Sequence, residues 1–197
     1  MSNRKKEWDD CFLKAVCPRD LVARLRRWAA PHEKMQEPRL QVGVTRKDGP
    51  MYFLGMQIVK RMERSGFPSK IHCCYRSPEK QNDVFEKGHS KVREWESAHQ
   101  YYEAVDIVHK YLYWDASPGY WDHLATVVRV VAKEYGVELV HGHNWKFVDS
   151  AHIELKSWRA VRDRQREQND GGNHTPTPKE LRERFLEVLP SEAPAPD

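Results

Sequence analysis

Two short stretches set the strongest demand on the fold: Ser97-Ala98-His99-Gln100-Tyr101-Tyr102-Glu103-Ala104-Val105-Asp106 and, far along the chain, Asp149-Ser150-Ala151-His152-Ile153-Glu154. The first holds a histidine and a carboxylate seven positions apart, and the second adds a histidine with an acid three residues before it. Two histidines and one carboxylate around an open position form the ligand set of a catalytic zinc site, which takes about four ligands at ~2.0–2.3 Å and keeps one place for water. His99, Asp106 and His152 supply three of those ligands. Any fold that uses them must bring both segments to one point. Asp149 then has a chemical purpose, because a carboxylate beside the metal is needed to take a proton from water and hand one to a leaving amine. Glu154, two residues after His152, shares its face if the segment is extended and is expected to orient a ligand or substrate.

The local patterns place these residues on a small α+β scaffold. Met51, Leu54, Ile58 and Met62 recur at helical spacing from Met51 to Ser65, with Gly66 as the C-terminal cap. Ile71 to Tyr75 is β-compatible and delivers Arg76 at its end, where a guanidinium fork can hold a substrate carbonyl or carboxylate. Ser77-Pro78 opens a helix running to about Lys87. Ala104 to Val108 alternates as a strand, Val105 and Ile107 facing one way and Asp106 the other. Between Ser117 and Tyr135, Trp121, Leu124, Val128, Val131 and Tyr135 make the longest apolar helical stripe. Val137 to Val140 and Lys146 to Val148 read as short strands around a His-Gly-His-Asn-Trp turn. His141 and His143 in that turn form a competing pair, expected at the rim of the site.

Flanking segments complete the division of the chain. Residues 1–37 read as a helical extension, with Leu21, Leu25 and Trp28 on one stripe and Pro31 ending it, and Leu40 to Val44 as a short strand. Residues 38–156 form the catalytic unit. Residues 157–189 form a helical C-terminal extension, in which Arg159, Arg162 and Arg166 make a basic face. Thr177-Pro178-Lys179-Glu180 is a capping box ahead of Leu181, Phe185, Val188 and Leu189. That last helix is expected to dock on its own domain. The Pro/Ala/acidic stretch 190–197 lacks the apolar residues to fold.

Composition narrows the function classes. The formal net charge of +4 suits an anionic polymer or surface but is too small to imply nucleic acid. Among four cysteines no Cys-x-x-Cys occurs, and adjacent Cys73 and Cys74 would alternate faces of a strand, so reduced, partly buried thiols are expected. The basic N-terminus is followed by no apolar stretch of signal-peptide length, and no run approaches the ~18–20 apolar residues of a membrane span. A monomer made in the cytoplasm is expected, and a substrate outside the membrane would require release by another agent.

Taken in order, Tyr75-Arg76-Ser77-Pro78 with Gln81, Gly88-x-Ser90-Lys91, Ser97-x-His99-x6-Asp106-Ile107-Val108, and Trp145 with Asp149-x-x-His152-x-Glu154 resemble the zinc peptidases of the D-alanyl-D-alanine carboxypeptidase and L-alanyl-D-glutamate endopeptidase family. The resemblance spans roughly residues 50–156. It implies the small, mostly antiparallel α+β fold shared with hedgehog-type domains, zinc as cofactor and the stem peptide of peptidoglycan as substrate. By the same resemblance His99, Asp106 and His152 are the zinc ligands and Asp149 is the general base and acid. Arg76 would position substrate and stabilise the oxyanion, with Ser97, Tyr102, Trp145 and Glu154 around substrate or ligands. Aspartate at 149, where vancomycin-resistance dipeptidases have glutamate, is similar to the endopeptidase branch of phage endolysins, which act on the wall after release or from the virion. One departure stands inside the motif: Tyr102 occupies a place where the family has glycine, so the turn after His99 is expected to be reshaped. Two alternatives remain, a D-alanyl-D-alanine carboxypeptidase and a non-catalytic zinc-holding module. Peripheral contact of the basic C-terminal helix with anionic wall or membrane is a further expectation.

Overall fold

The computed structural model describes residues 49–189, so the expected N-terminal helix, the strand at Leu40–Val44 and the tail beyond 189 lie outside the described residues. The described residues form an α+β fold: a four-stranded antiparallel sheet with covering helices. Its strands are β1 (Ser69–Cys73), β2 (Ala104–His109), β3 (Leu139–His141) and β4 (His152–Leu155), in spatial order β1-β2-β4-β3. Its longer helices are α1 (Pro50–Arg64), α2 (Pro78–Glu86), α3 (Pro118–Glu134), α4 (Trp158–Gln168) and α5 (Pro178–Val188). Two short 3-10 turns lie at Ala98–Tyr101 and Gly142–Asn144. None of the described helices is long and apolar enough to cross a membrane.

The main core lies between α1, α3 and one face of the sheet. Met51, Leu54, Ile58 and Met62 of α1 are all fully buried, as their spacing predicts, and meet Val105 and Ile107 of β2 with Leu124, Val128 and Val131 of α3. The approach of α1 to the sheet is close because Gly55 has no side chain. A Cβ there would sit 3.0 Å from Ile71 Cδ1 and 3.3 Å from Val105 Cγ2. A second, smaller cluster of Ala98, Tyr101, Ala104 and Trp158 fixes α4 against the 3-10 turn that carries His99. Every residue of β2 is therefore buried, which makes it a stiff element from which to aim Asp106.

Two expected strands are corrected. The first begins and ends two residues earlier than its apolar run suggests, so Arg76 stands in the loop beyond β1 rather than at its end. Its register also breaks: Ile71 pairs with Ile107 but Cys73 pairs with Asp106, leaving His72 as the extra residue of a β-bulge. Lys146–Val148 is not a strand. The Gly142 carbonyl accepts hydrogen bonds from the amides of both Trp145 and Asp149, closing this segment into a loop and leaving Phe147 and Val148 exposed. The late hairpin still forms from β3 and β4, with Leu139 opposite Leu155 and His141 opposite Ile153.

Helix α5 docks on the same body. Thr177 and Glu180 form the expected capping box, Leu181 is buried, and Phe185 meets Phe53 edge to face at 5.6 Å. Its anchor is an ion pair at Glu103, whose carboxylate is fully buried and accepts from Arg184 Nε at 3.0 Å and Nη2 at 3.1 Å. Burial pushes the Glu103 carboxyl above its ordinary range, and Arg184 offsets part of that shift. Removing the arginine leaves a buried carboxylate without its partner, which costs about 3–5 kcal/mol. Arg184→Ala is therefore expected to lower the stability measured by denaturant titration by that amount, whereas a loss below ~1 kcal/mol would place Glu103 in contact with water.

Candidate metal centre

Three side chains from three elements converge behind β2. His99 comes from the 3-10 turn, Asp106 from the middle of β2, and His152 from the first position of β4, directly opposite Asp106 in the ladder. His99 Nε2 lies 3.1 Å from Asp106 Oδ1 and 3.2 Å from His152 Nδ1, and His152 Nδ1 lies 3.3 Å from the same Asp106 oxygen. The three atoms thus form a nearly equilateral triangle. All three residues are buried.

The outer contacts decide which way the lone pairs point. His99 Nδ1 donates to the Cys74 carbonyl at 3.3 Å, and His152 Nε2 donates to Glu154 Oε2 at 3.1 Å. Each ring spends its N–H outward, so the nitrogen facing Asp106 is an acceptor. Three acceptors cannot satisfy one another without a proton or a metal cation among them. A tetrahedral metal with bonds of ~2.0–2.1 Å separates its ligand atoms by about 3.3–3.4 Å, close to the observed edges. Two imidazoles and one carboxylate also suit the borderline character of zinc. The residues fit the ion that the motifs imply.

Electrostatics carry the same demand for positive charge. Burial alone would lower the His99 pKa, but Asp106 and Cys73 overcome it and raise the ring above the usual histidine range. His152 is also raised, with burial opposed by its hydrogen bonds to Asp106 and Glu154. Burial would lift the Asp106 carboxyl, but His99 and His152 outweigh it and drive the group well below the carboxylate range. A proton held there is the one a metal would displace.

Around the triangle, Arg76 donates from Nη2 to Asp106 Oδ2 at 3.2 Å and from Nη1 to Gln81 Oε1 at 3.1 Å. Gln81, completely buried, is itself held by Ser90 Oγ and the Val92 carbonyl. Arg76 here fixes the carboxylate that faces the centre. Asp149 is half-buried on the loop before β4; burial and the nearby Asp106 charge push its carboxyl above the ordinary range, while His152 and His99 draw it down. Its backbone is fixed by Gly142, where an added Cβ would fall 2.4 Å from the Asp149 carbonyl oxygen. Ser97 caps the 3-10 turn, its amide donating to Gln100 Oε1 at 3.4 Å, and Trp145 sets its half-exposed ring 5.3 Å from that of His152.

No known family model matches the chain, and no curated protein matches it significantly. Among solved structures, it is similar to the L-Ala D-Glu endopeptidase ChiX of Serratia marcescens. That likeness has 23% sequence identity and a TM-score of 0.48, covering 66% of this chain and 98% of that one.

Tyr102 closes the turn after His99. It adopts the left-handed conformation itself, at φ 58° and ψ 24°, and its buried ring stacks on Tyr75 at 4.6 Å. Left-handed backbone costs a non-glycine residue roughly 1–2 kcal/mol, less than the ~3–5 kcal/mol lost when a large buried ring is removed. Tyr102→Gly is accordingly expected to destabilise the protein by about 2 kcal/mol in denaturant titration, and a gain in stability would show that strain outweighs packing there.

His141 and His143 stand outside the triangle. His141 Nε2 donates to the Ser150 carbonyl at 2.8 Å, and His143 sits between Ser150 Oγ at 2.8 Å and Asp122 at 3.3 Å. Burial holds His141 down at about 4, so it stays neutral. One residue escapes a reading of the sequence. Cys73, a reduced and partly buried thiol as expected, also offers its sulfur within 4.8 Å of ligand atoms of His99 and Asp106. The grouping of Cys73 with His99 and Asp106 is looser than the 3.1–3.3 Å triangle that includes His152, and the triangle is the better ligand set.

Proposed function

We propose that the chain is a zinc-dependent peptidoglycan peptidase that hydrolyses the L-alanyl-D-glutamate bond of the stem peptide, acting as an endolysin-like lysis enzyme. The observation that carries the reading is the triangle of three acceptors, each histidine fixed in its tautomer by a second partner, beside a separate half-buried carboxylate. A purely structural site has no use for that fourth group.

Zinc bound by His99, Asp106 and His152 would polarise a carbonyl and bring the pKa of water toward ~7. The chain's own residues do the rest. Glu154 and the Cys74 carbonyl hold the two imidazoles in orientation, and Arg76 holds Asp106 while its remaining N–H groups are available to a substrate oxygen. Asp149, lifted toward neutrality, accepts the proton of the attacking water and returns one to the departing amine. Trp145, half-exposed beside His152, offers a flat apolar wall for the peptide.

The choice of bond rests on the order of motifs and on aspartate at 149. Mass spectrometry of digested peptidoglycan tests it: a new N-terminal D-glutamate is the expected product. Released D-alanine would assign a carboxypeptidase instead, and absence of any product with zinc bound would assign a non-catalytic module.

A further inference from the structure

The β-bulge in β1 has a chemical result. Uninterrupted pairing from Ile71–Ile107 would set His72 opposite Asp106, and the bulge sets Cys73 there instead. Directly opposed residues of an antiparallel pair project to the same face, so the thiol shares the face of the Asp106 carboxylate. Cys73 Sγ and ligand atoms of His99 and Asp106 lie within 4.8 Å of one another, and the thiol is partly accessible. At present its S–H points to the Tyr75 carbonyl at 3.4 Å.

From this placement we propose that Cys73 is a fourth, displaceable ligand that closes the metal centre in its resting state. The proposal rests on the reading of His99, Asp106 and His152 as the metal site. Zinc–sulfur bonds of ~2.3 Å put a thiolate about 3.6 Å from neighbouring nitrogen ligands, so the sulfur, already within 4.8 Å of ligand atoms of His99 and Asp106, must draw roughly 1 Å nearer to those two as it joins the His152 side of the centre. The S–H bond breaks as the sulfur–metal bond forms, and the proton leaves to solvent. Four protein donors make a closed site of the structural type, whereas hydrolysis needs an open position. It reopens when the sulfur–metal bond breaks, the thiolate takes a proton from solvent and the S–H returns to the Tyr75 carbonyl. The bulge thus gives one strand two settings: a closed centre of two histidines, an aspartate and a cysteine, and an open centre without the cysteine.

Cobalt substitution of the reduced full-length protein tests this without reference to activity. The wild type should bind one cobalt and show a near-ultraviolet thiolate-to-cobalt absorption band. Cys73→Ser should still bind cobalt, about tenfold more weakly, and lack the band, while Cys74→Ser should keep it. Peptide mapping after iodoacetamide treatment should show Cys73 alkylated at least ~10-fold more slowly with zinc bound than without. Stoichiometric cobalt with no such band, or a band that survives in Cys73→Ser, overturns the proposal and leaves the three-ligand site standing. Failure of the wild type to bind cobalt at all overturns both.

Discussion

Asp149→Ala should keep its zinc and its melting temperature and lose at least ~10²-fold in the rate of peptidoglycan cleavage, the scale expected for a positioned general base. The side chain is separable from its surroundings for a clear reason. What holds this loop is the Asp149 backbone, whose amide donates to the Gly142 carbonyl at 3.0 Å and whose carbonyl accepts from the His152 amide at 3.2 Å. Alanine preserves both bonds and gives up only the hydrogen bond that the carboxylate accepts from the Ala151 amide. Asp149→Asn keeps the shape as well but cannot accept the proton, so it should fall as far as alanine. Single-turnover rates on purified peptidoglycan, taken with zinc content measured on the same samples, separate lost chemistry from lost metal. Wild-type rates in either variant would remove Asp149 from the mechanism.

Asp106→Asn should act on the metal itself and weaken zinc binding by at least ~10²-fold, beyond the roughly 10–100-fold typical of residues that merely support a ligand. One oxygen of this carboxylate faces both histidines and the other faces Arg76. The asparagine amide either points its amino group at two acceptor nitrogens or turns it against a guanidinium. Both arrangements lose the negative charge that keeps a cation in the pocket. Competition titration with a chromophoric chelator reads the change directly. Affinity within about threefold of wild type would show that Asp106 lies beside the metal and does not ligate it. Arg76→Lys offers a graded comparison, since a lysine keeps the charge but not the fork that joins Asp106 to Gln81.

Much of this architecture is legible before any coordinates because it is written in local signals. The stripe Met51-Leu54-Ile58-Met62, the long stripe from Trp121 to Tyr135 and the Thr177 capping box each specify a helix by spacing and caps alone. The alternation of Ala104–Val108 specifies β2, and it correctly turns Asp106 away from Val105 and Ile107. The position of Glu154 on the face of His152 follows from the period of an extended strand. Legibility ends where distant residues decide. Phe147 and Val148 have strand-forming side chains, yet Gly142 draws the segment into a loop through two backbone hydrogen bonds. The bulge at His72 follows from a register that no periodicity announces, and with it goes the placement of Cys73. The Glu103–Arg184 pair joins residues 81 positions apart, and nothing near either one marks the other.

On the basic face of α4, Arg162 and Arg166 both reach Glu96, at 2.7 and 3.0 Å, and Arg159 lies over the Trp158 ring at 4.5 Å, contacts that the helical spacing of the arginines does not reveal. Their charges are engaged with the loop that leads into the His99 turn and with the ring beneath it.

Metal analysis of the purified protein tests the central claim most directly. Elemental mass spectrometry, after apo-protein has been reloaded with zinc and dialysed, should find one zinc per wild-type chain and a near-complete loss in His99→Ala and in His152→Ala. Wild-type protein without zinc, or the same zinc content in both variants, would contradict the assignment of His99, Asp106 and His152 as a metal centre.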